Sequence, residues 1–100
     1  MFYNRKGEPI ELLEWVQLSE NLDYKRVGRT EFPDGSFVST IWLGMSHSWG
    51  SPSHIFEAMH FPSHVSWKFD TEEEAEIAHA LIVENLEAFL QKNLVDRGEE

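Results

Sequence analysis

Apolar positions along the chain change period several times, and the changes mark out the elements. From Ile10 to Leu22 the residues Leu12, Leu13, Trp15, Val16, Leu18 and Leu22 recur at spacings of three and four, with Glu11, Glu14, Gln17 and Glu20 between them. That spacing predicts an amphipathic helix with its leucine side turned inward. Its start is weakly marked: Pro9 suits a first turn, but no Ser, Thr, Asp or Asn precedes Leu12. Before it, residues 2–9 read as a short extended piece and a turn punctuated by Asn4, Gly7 and Pro9.

The period then drops to two. Tyr24 to Phe32 and Phe37 to Leu43 are β-rich runs joined by Pro33-Asp34-Gly35-Ser36, a turn in which Pro presets φ and Gly supplies a positive φ. The second run places Phe37, Ile41 and Leu43 on one face and Val38 and Trp42 on the other. With apolar weight on both faces it fits a central strand covered on both sides, or one whose Val38 and Trp42 face meets a second subunit. A homodimer is therefore one expectation. His54 to Phe61 and Ser66 to Phe69 supply a third and a short fourth strand, with the loop at Pro62 between them.

Near the C-terminus the period returns to that of a helix. Thr71-x-x-Glu74 is a capping box, and Glu72, Glu73 and Glu74 occupy the first turn, where the helix dipole favours negative charge. Ala75, Ala78, Ile82, Leu86 and Phe89, widened by Leu81 and Leu90, form the stripe that packs on the sheet, and fraying is expected from Asn93 to Gly98. The fold class expected is α+β: one domain over residues 1–100, with a three- to four-stranded antiparallel sheet, an N-terminal helix and a C-terminal amphipathic helix.

Composition narrows the function classes. The chain has no cysteine, which removes disulfides and thiolate metal sites and suits a reducing compartment. No segment approaches the run of about 18 apolar residues that a membrane span needs, and no secretory pattern opens the chain, so the expected location is cytosolic. A formal charge of −10 repels nucleic-acid phosphates and anionic lipid. The expected partners are thus proteins, not nucleic acid or membrane.

Candidate chemistry is thin. His60-x-x-x-His64 has the spacing of two ligands on one helical face, but Pro62 intervenes, which leaves His47, His54 and a carboxylate as the metal geometry to test. Glu57 lies between Ile55 and Met59 on one strand face, where burial would raise its pKa and suit it to general acid or base work. In the opposite register Phe56 and Ala58 point inward and Glu57 reaches the surface, in range of Arg26 or Arg29. Ser46, Ser48, Ser51 and Ser53 belong to no nucleophile elbow, and the glycines make no phosphate-binding spacing, so no catalytic residue and no cofactor is expected.

The polar loop from Gly44 to Ser53 is longer than a hairpin needs and carries Met45, His47 and Trp49. Trp49 is the expected anchor of an interface, or else covers a sheet edge; with Trp42, His47, Met45 and Glu57 it makes up the candidate binding set. A small molecule or signalling nucleotide held near Trp42, His47 and Trp49 is the alternative, and a small enzyme using Glu57 with His47 or His54 a third.

Six blocks occur in order: YNRKGEPI, LLEWVQL, YKRV, DGSFVSTIWLG, IFEAMHF and TEEEAEIAH. Together, from Tyr3 to about His79, they resemble a family of small proteins encoded by bacteriophages and prophages. The resemblance implies an accessory phage protein acting in the bacterial host cytosol, binding and redirecting host or defence proteins, and it implies no catalytic residues. Trp42, Gly44, His47 and Glu57 stand on matching positions, whereas Ser51, His60 and Glu11 depart from the family pattern.

Overall fold

The computed structural model describes residues 1–46 and 52–91. The chain opens with a two-stranded hairpin, β1 (Phe2–Tyr3) and β2 (Pro9–Ile10). Asn4 makes its turn by accepting the backbone N–H groups of Lys6 and Glu8 on its side-chain oxygen. Two helices follow, α1 (Leu12–Ser19) and the single turn α2 (Leu22–Lys25). The helix expected from Ile10 to Leu22 is thus broken. Asn21 caps α2 by accepting from the Tyr24 N–H, a local bond that competes with continuing α1.

Strands β3 (Arg26–Glu31), β4 (Phe37–Trp42), β5 (Phe56–Phe61) and β6 (Ser66–Phe69) form an antiparallel meander in the order β3-β4-β5-β6. In the β3–β4 turn Gly35 takes φ +90°, and Asp34 accepts both the backbone N–H and the hydroxyl of Ser36. These bonds hold the Asp34 carboxyl below its ordinary value. The third strand begins at Phe56, two residues later than the pattern suggests, because His54 sits at φ +57°.

Helix α3 (Glu72–Glu84) starts at the expected capping box, with both reciprocal Thr71 and Glu74 bonds formed. It ends earlier than its stripe implies. Asn85 donates its side-chain amide to the Leu81 carbonyl, and helical backbone resumes over residues 86–91. Ala75 and Ile82 are buried and Ala78, Leu86 and Phe89 pack on the core, whereas Leu81 stays in solvent and does not widen the stripe.

Helix α3 covers one face of the sheet only. Beneath it Val38, Thr40 and Trp42 of β4 are fully buried beside Phe56 and Ala58 of β5, in two continuous clusters reached also by Trp15, Tyr24, Trp67 and Phe69. This corrects the expectation that the Val38 and Trp42 face awaits a second subunit. The face left uncovered is the other one, carrying Phe37, Ser39 and Ile41.

The α1 expectation is corrected as well: Leu13 is 70% and Leu12 57% exposed, and no residue of α1 is fully buried. Only Trp15 and Leu18 reach the core, because an eight-residue helix resting on a two-stranded hairpin presents a narrow contact. Among the described residues no helix is long and apolar enough to cross a membrane.

Candidate functional site

The uncovered sheet face is built by strand alternation. Side chains inward at Val38, Thr40 and Trp42 force Phe37, Ser39 and Ile41 outward, and register then decides what stands beside each. Phe37 pairs with Glu31 and Phe61; Ser39 with Arg29 and Met59; Ile41 with Arg26 and Glu57. Across β5, Met59 pairs with Ser66 and Glu57 with Lys68. The Phe37 and Phe61 rings stack at 4.8 Å, and the Arg29 guanidinium lies 3.9 Å from the Phe37 ring centre while its Nε donates to Glu31 at 3.3 Å. None of Phe37, Ile41, Met59 or Phe61 belongs to the buried clusters; all four are half-buried.

At one end of this face a groove of about 200 Å³ is lined by Leu22, Lys25, Arg26, Arg29, Ser39 and Ile41. Three cations thus surround two apolar side chains, and Leu22 is 70% exposed. In a chain of charge −10 this is a segregated arrangement, because the acidic run Glu72, Glu73, Glu74 and Glu76 sits on α3.

The residues picked from sequence fare differently. Trp42 is wholly buried: its Nε1 donates to the Tyr3 carbonyl at 3.0 Å, its ring meets Tyr24 edge-on at 5.0 Å, and it is a core residue with no ligand-facing surface. Glu57 takes the register with Phe56 and Ala58 inward, so it is half-buried on the open face, and its cross-strand neighbours are Ile41 and Lys68, not Arg26 or Arg29. Met45 is 40% exposed and forms an isolated bridge to Phe2. His47 and Trp49 lie outside the described residues. Among the described residues no three His, Asp or Glu side chains gather as a metal ion would require.

Gly44 explains how the end of β4 is shaped. It adopts φ +73°, and a Cβ there would fall 2.2 Å from Trp42 Cζ2 and 2.8 Å from Trp15 Nε1. Only glycine lets the backbone turn between the two indoles. Trp15 Nε1 donates instead to the Leu43 carbonyl at 3.0 Å, fixing α1 against this turn.

One polar centre escaped the sequence reading. His79 on α3 points into the sheet, where its Nδ1 lies 2.6 Å from Thr40 Oγ1 and its Nε2 2.9 Å from Thr30 Oγ1. Gly28, opposite Thr40, leaves room for the ring, since a Cβ there would meet it at 3.3 Å. Burial lowers the His79 pKa from its ordinary 6.5, favouring a neutral imidazole that accepts from one threonine and donates to the other. Its position four residues after Ala75 and three before Ile82 was the available signal. Thr40 has no solvent exposure, so the pair reads as a satisfied polar lock under α3 and offers no accessible nucleophile.

Arg5 provides a second tie. Its Nε donates to Glu72 at 2.6 Å and its Nη1 to the Tyr24 carbonyl at 3.0 Å, joining the N-terminal hairpin, α2 and the start of α3. The hydrogen bond to Arg5 lowers the Glu72 pKa and raises that of Arg5.

Comparison of the chain with protein families, curated proteins and solved structures gives no match.

Proposed function

We propose that this chain acts by binding another protein, not by catalysis, and that it does so through the open face of its sheet. One observation carries the reading. Phe37, Ile41, Met59 and Phe61 form a half-buried apolar band, with Arg26, Arg29 and Lys68 around it beside the carboxylates Glu31 and Glu57. Apolar centres with charged rims are the usual anatomy of protein interfaces, and arginine with aromatic neighbours is enriched where binding energy concentrates. The partner this face fits presents carboxylates around an apolar anchor, which the groove beside Leu22 and Ile41 receives. The six sequence blocks support a phage-encoded accessory protein whose target is a host or defence protein in the bacterial cytosol.

Site-specific photocrosslinking in bacterial cells tests this. A crosslinker at Ser39 is expected to trap a protein with an acidic contact segment. Combining Arg29→Glu with Met59→Lys should abolish the adduct, while Glu73→Lys on α3 should leave it. Equal trapping from position 73, or indifference to the Arg29 change, rejects the open face as the site. An adduct between two copies of this chain makes the occupant a second subunit.

A further inference from the structure

A second concavity lies around the corner from the open face, at the end of the sheet where β3 and β5 begin and β4 and β6 finish. It measures about 490 Å³, within the range of roughly 300–1,000 Å³ typical of small-molecule sites. Its wall has two characters. Trp15, Leu43 and Met45 contribute apolar surface, and Lys25, Lys68, His54, Ser19 and Ser53 contribute polar or cationic groups.

The lysines arrive from opposite edges of the sheet, Lys25 just before β3 and Lys68 near the end of β6. Neither has a carboxylate within ion-pair distance among the described residues, although Glu57 stands directly across from Lys68 in register. No acidic side chain is among the described residues lining the cleft. Two cations without an ion-pair partner among the described residues thus line one concavity, where an anion would be attracted.

His54 adds a further polar group. It holds the left-handed conformation uncommon for residues other than glycine, and its backbone N–H is fixed by Asp70 Oδ1 at 2.7 Å. Asp70 thus fixes the backbone of a residue that lines the cleft. Trp15 is anchored too, through Leu43 and through contact with Phe2 at 5.0 Å, so the apolar wall is preformed.

We infer that this cleft binds a small organic phosphate with a flat apolar body, the phosphate between Lys25, Lys68 and His54 and the body against Trp15, Leu43 and Met45. The cleft shares Lys25 and Lys68 with the rim of the open face, but its ligand and its test do not depend on a protein binding there. Its natural ligand is defined here by chemistry, so the test uses 1-naphthyl phosphate, with 1-naphthol and inorganic phosphate as its two halves.

Heteronuclear NMR of the whole chain is expected to show saturable shifts at the Trp15 indole and at the amides of Lys25, Ser53, His54 and Lys68. The expected Kd is about 1 mM or tighter, with each half at least roughly tenfold weaker. Lys25→Ala with Lys68→Ala, at positions outside the core, should weaken binding about tenfold or more, and Lys6→Ala should leave it within about twofold. Shifts that do not saturate, equal binding of 1-naphthol, or equal loss in the Lys6 variant would overturn the proposal. Dispersed spectra from the double variant separate lost binding from lost folding.

Discussion

On the sealed face of the sheet Val38, Thr40, Trp42, Phe56 and Ala58 have no solvent exposure, and no buried side-chain polar atom among the described residues lacks a partner. On the open face Phe37, Ile41, Met59 and Phe61 remain half-buried and are held by stacking, by Arg29 and by their cross-strand neighbours. Both faces are built by the same four strands. The contrast teaches that apolar content does not by itself make a core; a face becomes one when a second layer removes it from water. Here α3 and the N-terminal hairpin supply that layer once, and the other face stays open.

If the sealed face supplies stability and the open face binding, substitutions should separate the two. The largest effect is expected at Trp42→Ala, which empties a fully buried site and orphans the Tyr3 carbonyl. A loss of about 3–5 kcal/mol follows from such truncations, a large part of the roughly 5–15 kcal/mol that holds a domain together. Urea unfolding monitored by circular dichroism measures it. An unfolding midpoint unchanged from the parent chain would break the comparison at its strongest point.

Gly44→Ala comes next. The added methyl must displace Trp42 or Trp15 and accept φ +73°, so about 2–4 kcal/mol should be lost by the same measurement. Arg5→Ala is expected to cost about 1–2 kcal/mol, mainly through the Glu72 and Tyr24 bonds at a partly exposed site. Because the Glu72 pKa is lowered in the folded state, this contribution is present above the ordinary value of 4.5 and is lost as pH falls through the lowered one. The difference between parent and variant should therefore shrink in acid.

His79 titrates with the same sign for a different reason. Its folded pKa lies below 6.5, so stability is fully present above that pH and declines as pH falls from 6.5 toward the lowered value. His79→Gln should flatten this decline. A slope identical in the variant would show that His79 does not carry it. The smallest stability effect, within about 1 kcal/mol, is expected for Ile41→Thr on the open face, the same change that should weaken partner capture most visibly.

How much was legible in the sequence varies with the range of the signal. The β3–β4 turn depends on Pro33, Asp34 and Gly35, and the start of α3 on Thr71 and Glu74; each is written within four residues and each formed. Helix ends that depended on asparagine were misread. Asn21 and Asn85 use their side chains against the neighbouring backbone, and an apolar stripe running past them does not reveal it. Of the candidate binding residues Trp42 is core, which its place in an alternating strand did not reveal, and of the described loop residues Met45 and Ser53 line the cleft.

The sequence by itself determined the α+β class, the four main strands, the capped final helix and the acidity, because alternation, capping and charge are properties of neighbours. Tertiary structure alone decided which face of β4 is sealed. A strand apolar on both sides contains no local preference, and the choice falls to where α3, some 30 residues downstream, docks. The same holds for the cleft and the His79 lock: Trp15, Lys25, His54 and Lys68, or Thr30, Thr40 and His79, become neighbours only through the fold.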